Sequence, residues 1–178
     1  MTLMRCAMIV GLSTFLTGCS TAEDGRTPLA LARDVDLNRY LGRWYVVANI
    51  PYFAERGNVG AYVEYSMRPD GQIADVYYAH EGSVVSPLTR REGRAYVVPG
   101  SNNALWRVTF LWPIYVSYPI VHHDPDYKTA LVGYPDRSLG WIFSRDRDMD
   151  EATYRDLLAI FAEQGYDITK FQRVLQRP

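Results

Sequence analysis

The chain has 178 residues, is 48% hydrophobic and 13% aromatic, and carries a formal net charge of -1. That length suits one domain with a substantial core, and the near-neutral charge, with no basic run, argues against a nucleic-acid partner. No apolar stretch approaches the roughly 20 residues of a membrane-spanning helix, and 14 Tyr with 4 Trp favour strands and apolar cavities over a helical bundle.

Residues 1–18 have the layout of an export signal. Arg5 supplies a sparse positive start, Cys6 to Leu16 is mostly apolar, and Leu16-Thr17-Gly18-Cys19 ends the segment. This tetrad resembles the bacterial lipobox, which implies cleavage before Cys19 and acylation of its thiol and new amino group. An ordinary signal peptide with a stray cysteine is the alternative. Acyl chains contribute about 0.8 kcal/mol per buried methylene, so several make a durable anchor. Ser20 after Cys19, by similarity to enterobacterial sorting, favours the outer membrane. Once Cys6 is removed and Cys19 acylated, no thiol remains for a disulfide. Residues 19–34 read as the lipidated N-terminus and a polar tether, in which Pro28 opposes an early helix. Leu29 to Val35 either docks or stays loose. Without Arg5 the exported part carries 18 basic and 20 acidic residues, so an anionic surface would not attract it strongly.

Residues 35–178 form the expected domain. Tyr40-Leu41-Gly42-Arg43-Trp44-Tyr45 opens it, and the strand from Arg43 stops at Pro51. Glu55-Arg56-Gly57-Asn58 marks a loop. Ala61 to Met67 alternates, with Ala61, Val63 and Tyr65 on one face. Arg68-Pro69-Asp70-Gly71 is a turn, because Pro fixes φ and Gly accepts φ > 0. Gln72 to Ala79 returns as its hairpin partner, and Thr89 to Val98 follows. Leu105 to Trp112 is the clearest alternation, with Trp106, Val108, Phe110 and Trp112 sharing a face. Tyr115 to His123, Lys128 to Tyr134 and Gly140 to Arg145 complete eight candidate strands, the signature of a barrel or a sandwich. A helix over 149–164 comes next. Asp148 caps it with Glu151 as a capping box, and Tyr154, Leu157, Leu158 and Phe161 make one apolar stripe. Gly165 suits its C-terminal stop. Phe171 to Leu175 reads as a last short strand.

Three stretches resemble the lipocalin family, in its bacterial outer-membrane lipoprotein branch. They are Tyr40 to Tyr45 with Phe53-Ala54-Glu55-Arg56-Gly57 behind it, the turn Asp124 to Val132, and Trp141-Ile142-Phe143-Ser144-Arg145. Pro125 stands where the family usually has Thr. The resemblance implies an all-β fold: an eight-stranded antiparallel up-and-down β-barrel with one flanking C-terminal α-helix. It also implies that Arg145 packs over Trp44, a contact worth about 0.5–2 kcal/mol depending on desolvation. Gly42 permits close backbone approach, so Gly42, Trp44 and Arg145 are structural residues in this reading. Eight strands enclose side chains or one small ligand.

The candidates for lining a ligand cavity are Val46, Ala48, Ile50, Tyr65, Trp106, Val108, Phe110, Tyr118, Ile120 and Trp141. Val46, Ala48 and Ile50 share the parity of Trp44, and the small Ala48 leaves volume. Tyr hydroxyls, or Arg90, Arg91 and Arg107, would orient a head group near the mouth, although exposed arginines are usually just solvated. His122 and His123 point to opposite faces of a strand, so they do not share a metal. Asp146, Asp148 and Asp150 mimic a calcium loop, but the glycine and glutamate positions are wrong. No nucleophile elbow or phosphate loop occurs, and the mature chain lacks the cavity thiol of one enzymatic relative. No cofactor and no metal are expected. The function expected is binding, storage or transport of fatty acids or lysophospholipids by a carrier anchored on the periplasmic side of the outer membrane. A structural lipoprotein with a filled barrel and a lipid- or isoprenoid-modifying enzyme are the alternatives. The family also implies weak homodimers, though no stretch shows one.

Overall fold

A computed structural model describes residues 27–177. The export segment, Cys19 and the first part of the tether lie outside the described residues. The strands are β1 (Gly42–Ile50), β2 (Asn58–Met67), β3 (Ile73–Glu81), β4 (Leu88–Val97), β5 (Leu105–Leu111), β6 (Ile114–His123), β7 (Thr129–Val132) and β8 (Gly140–Ser144). Each pairs antiparallel with the next, and β1 pairs with both β8 and β2, which closes the barrel. Closure leaves no free edge among these strands. The connections 51–57, 82–87, 112–113 and 133–139 therefore share one end, the mouth. Those at 68–72, 98–104 and 124–128 share the other, the floor.

A single-turn helix, α1 (Leu37–Tyr40), crosses the floor. Asp36 caps it, its Oδ1 accepting from the Asn38 N–H at 2.9 Å. Trp44 is fully buried above α1, and its indole N–H donates to the Tyr40 carbonyl at 2.7 Å. The Arg145 guanidinium lies 3.6 Å from the Trp44 ring centroid. Its nitrogens donate to the carbonyls of Arg39 (2.7 Å), Leu41 (2.9 Å), Tyr40 (3.1 Å) and Arg43 (2.5 Å), and to that of Tyr127 at 3.3 Å. One cation thus fastens the α1 turn, β1 and the β6–β7 turn. Gly42 sits where the chain leaves α1 for β1 with φ +97°, a conformation L side chains rarely adopt.

The segment before α1 docks. Ala32 N–H donates to the Ile120 carbonyl at 2.8 Å, Leu31 and Ala32 pack against the barrel core, and Leu29 packs under the second helix. That helix, α2 (Glu151–Glu163), starts two residues later than expected. Its cap is Asp150 rather than Asp148: the Asp150 carboxylate accepts from the Thr153 N–H at 2.9 Å and the Thr153 hydroxyl at 2.7 Å. Asp148 pairs with Arg177 instead. Asp and Thr three residues apart satisfy the same orphan donor that a capping box satisfies. Tyr154, Leu157 and Phe161 bury against the outside of the barrel, on Val47, Ala48, Ile50, Val121, Leu131 and Ile142. A two-residue strand, β9 (Gln172–Arg173), pairs with Ala48 and Asn49 where β2 has diverged from β1.

That second core corrects the expectation for β1. A β-bulge between Val46 and Ala48 turns both Val47 and Ala48 outward and brings Asn49 inside, opposite Trp141. Ala48 and Ile50 therefore pack under α2 and do not line the cavity. The run Val46-Val47-Ala48 has no polar residue to hold a period of two, so tertiary packing sets the register. A second irregularity, between Val108 and Leu111, ends the alternation of β5. Trp112 then lies in the β5–β6 turn, 77% exposed and bordering a surface groove with Arg94 and Thr109, instead of sharing the face of Trp106.

Candidate ligand-binding cavity

The barrel interior divides into a packed floor and an open upper half. Tyr40, Trp44, Trp106 and Ile120 are all fully buried in the floor. Trp106 makes an edge contact with Tyr65 at 5.2 Å and a stacked one with Tyr118 at 6.0 Å between ring centroids. Its indole N–H donates to the Asn103 carbonyl at 2.8 Å. Trp106 and Ile120, expected in the cavity wall, are thus packing residues beneath it.

Above this layer a cavity of about 460 Å³ opens to the mouth. Tyr65, Tyr118 and Val108 form its base, Val46, Val63, Trp141 and Phe143 its walls, and Tyr52 to Glu55 hang over it from the β1–β2 loop. Phe110, half exposed, lies at the rim over Gly93, where a Cβ would come within 2.8 Å of its ring. The structure therefore places six of the ten candidates around one space: Val46, Tyr65, Val108, Phe110, Tyr118 and Trp141. The hydroxyls of Tyr65 and Tyr118 share a hydrogen bond, and burial pushes the pKa of both phenols up.

Three polar residues that sequence reasoning did not assign complete the site. Glu55, 8% exposed, accepts from Asn49 Nδ2 at 2.7 Å and from the Trp141 indole at 2.9 Å. Burial raises its pKa against the lowering effect of those two bonds and of Arg91. Asp75 faces the cavity from β3 and is 3% exposed. Among the described residues its Oδ1 has no hydrogen-bond partner, and burial, with the Glu55 charge adding, pushes its pKa up to about 7. Tyr77 lies above it, with the Arg91 guanidinium 5.2 Å from the ring centroid. Strand parity carried the signal for Asp75: it stands between Ile73 and Tyr77 on the inward face of a strand whose turn is unmistakable. Of the three arginines considered, Arg91 alone lines this cavity, its guanidinium bonded to the Ala54 carbonyl at 2.5 Å. Arg90 pairs with Glu92, and Arg107 reaches Ser117 at 3.4 Å.

His123 stacks on Tyr127 at 4.3 Å and contacts the Arg33 carbonyl at 3.2 Å. His122 is half-buried, and burial lowers its pKa.

The family model described as a lipocalin-like domain matches residues 35–176. Temperature-induced lipocalin-1 of Arabidopsis thaliana is 34% identical over 157 residues, covering 83% of each chain. The outer membrane lipoprotein Blc of Escherichia coli K12 is 31% identical, covering 97% of this chain and 98% of the relative. Its Vibrio cholerae namesake is 30% identical over 98% of this chain and 100% of that one. Among solved structures, insecticyanin from the tobacco hornworm superposes with a TM-score of 0.65 at 18% identity, covering 84% and 85% of the two chains. Lobster apocrustacyanin A1 gives 0.61 at 22% identity over 80% and 81%. These are likenesses to binding proteins, not to enzymes. A closed eight-stranded barrel, its Trp44–Arg145 floor and near-full-length relatives at this identity agree on one assignment: the chain belongs to the lipocalin family.

Proposed function

We propose that this lipocalin binds a single-chain lipid, a fatty acid or lysophospholipid, and stores or carries it for membrane maintenance. The observation that carries this reading is the open apolar cavity of about 460 Å³ above a packed floor. Burial of acyl methylenes against Val46, Val63, Val108 and Phe143 would drive binding, at about 0.8 kcal/mol each. The filled-barrel alternative needs Trp106, Phe110 and Trp141 to occupy the interior. Trp106 does pack below, but Phe110 and Trp141 border free space. The test is titration of delipidated protein with lysophospholipid and with fatty acid, followed by tryptophan emission. Saturable, near-stoichiometric quenching supports the reading, and failure of both lipids refutes it. Native mass spectrometry of protein from its host would show which lipid accompanies it.

The names of the bacterial relatives support an outer-membrane location, and Cys19 is the anchor in our reading. Two features favour a mouth turned toward that membrane. Thr27 lies at the mouth end, where its carbonyl accepts from Arg137 of the β7–β8 loop. Eight residues from Cys19 to Thr27 span at most about 28 Å, so acyl chains on Cys19 would hold the mouth near the bilayer. The rim also exposes Phe53, Leu111, Trp112 and Ile114, residue types suited to a membrane interface. Cys19→Ala should release the protein to the soluble periplasm, and retention in the membrane fraction would refute the anchor.

A further inference from the structure

Asp75 is the least explained residue of the cavity. Among the described residues no hydrogen-bond donor reaches its Oδ1. In register it lies opposite Tyr65 on β2 and Gly93 on β4, so β4 presents no side chain to it, and the Tyr65 hydroxyl is hydrogen-bonded to that of Tyr118. Arg91, the cation of the cavity lining, is held by the Ala54 carbonyl and the Tyr77 ring. Glu55, the other acid, is already satisfied by Asn49 and Trp141. A buried polar atom without a partner is costly, and one that faces an open cavity is positioned for a donor brought by a ligand.

The surroundings decide which donor. Once Asp75 is ionised, a carboxylate or phosphate at this depth would meet it as a like charge, with Arg91 held elsewhere by the Ala54 carbonyl. An ammonium brings three N–H donors and the opposite charge. It would also face the rings of Tyr65, Tyr118 and Trp141, which line the same space and attract cations through their π faces. We propose that the cavity takes a long-chain amine head first, its ammonium held by Asp75 and its chain running past Val63, Val46 and Phe143 to the mouth. This rests on the lipid-binding reading and sharpens it. A fatty acid would have to enter tail first and keep its carboxylate at the rim.

The experiment compares three probes of equal length, tetradecylamine, tetradecanol and myristate, on delipidated protein at about pH 8, where Asp75 is ionised, and below their aggregation thresholds. The wild type should bind the amine at least about tenfold more tightly than myristate, a difference one good charge interaction supplies. Asp75→Asn should bring that ratio close to one. Myristate binding as tightly as the amine to the wild type overturns the proposal, with no variant required. So does an amine-to-acid ratio unchanged in Asp75→Asn. If none of the three binds, this inference falls, and the lipid-carrier reading falls with it if lysophospholipid also fails, whereas equal binding of all three removes only the amine preference.

Discussion

Replacing Arg145 with alanine should cost stability without redirecting ligand choice. The guanidinium stacks 3.6 Å from the Trp44 centroid and bonds five carbonyls from the α1 turn, β1 and the β6–β7 turn. The desolvated stack contributes up to about 2 kcal/mol, and a charge-assisted hydrogen bond about 1.5–3 kcal/mol. Arg145 is only half-buried, so water recovers part of the carbonyl bonding after truncation. The expected loss is on the order of 4 kcal/mol, a large share of the roughly 5–15 kcal/mol available to a domain. Urea unfolding followed by tryptophan emission measures it. With a slope near 2 kcal/mol per molar, the midpoint should fall by about 2 M. Arg145→Lys should be intermediate, because one ammonium keeps the charge but cannot reach five carbonyls from a planar fork. The lipid dissociation constant, measured where each variant remains folded, should change little. A variant within about 1 kcal/mol of wild type that nevertheless selects a different lipid would refute the floor account.

Asp75 makes stability fall with pH. Below about pH 4 the folded and unfolded chains both hold the proton, and from there to about 7 only the folded state does, so stability declines across that window and levels off above it. The rise from 3.8 to about 7 corresponds to a loss of on the order of 4 kcal/mol. Urea midpoints of Asp75→Asn should lack most of this decline, and equal pH slopes for the two proteins would contradict it. Val63→Trp should fill the cavity and weaken lipid binding at least about tenfold with the fold intact, whereas Ala48→Leu should overpack the α2 face at a cost of about 1–3 kcal/mol and leave lipid binding alone; the reverse pattern would contradict the bulge. Asp150→Ala should destabilise by about 1 kcal/mol through loss of the α2 cap, with Asp148→Ala much milder. Combined Phe53→Ser and Trp112→Ser should reduce sedimentation of the unacylated chain with phospholipid vesicles; no change would argue against a membrane-facing rim.

Local chemistry was enough to read most elements of this protein from its residues. Turn residues such as Pro69-Asp70-Gly71 act on their own backbone, period-two alternation marks strands half in contact with a core, and the stripe Tyr154, Leu157, Phe161 needs only helical geometry. The tie between Trp44 and Arg145 came through family resemblance, because a contact across a hundred residues leaves no local trace. Tertiary structure alone decided which faces of the strands look inward. Val46-Val47-Ala48 is apolar throughout, and the competing demands of the barrel interior and of α2 are both met by a bulge that no residue in the run announces. The same holds for the boundary between floor and cavity. Trp106 and Val108 share a strand face, but only the rings of Tyr40, Tyr65 and Tyr118 closing around Trp106 make one a packing residue and leave the other beside open space. Strand parity groups Asp75 with Ile73 and Tyr77, a signal the sequence reading did not use. That Asp75 Oδ1 has no partner depends on Gly93 opposite it and on two tyrosines bonded to each other, and such vacancies exist only once the barrel is closed.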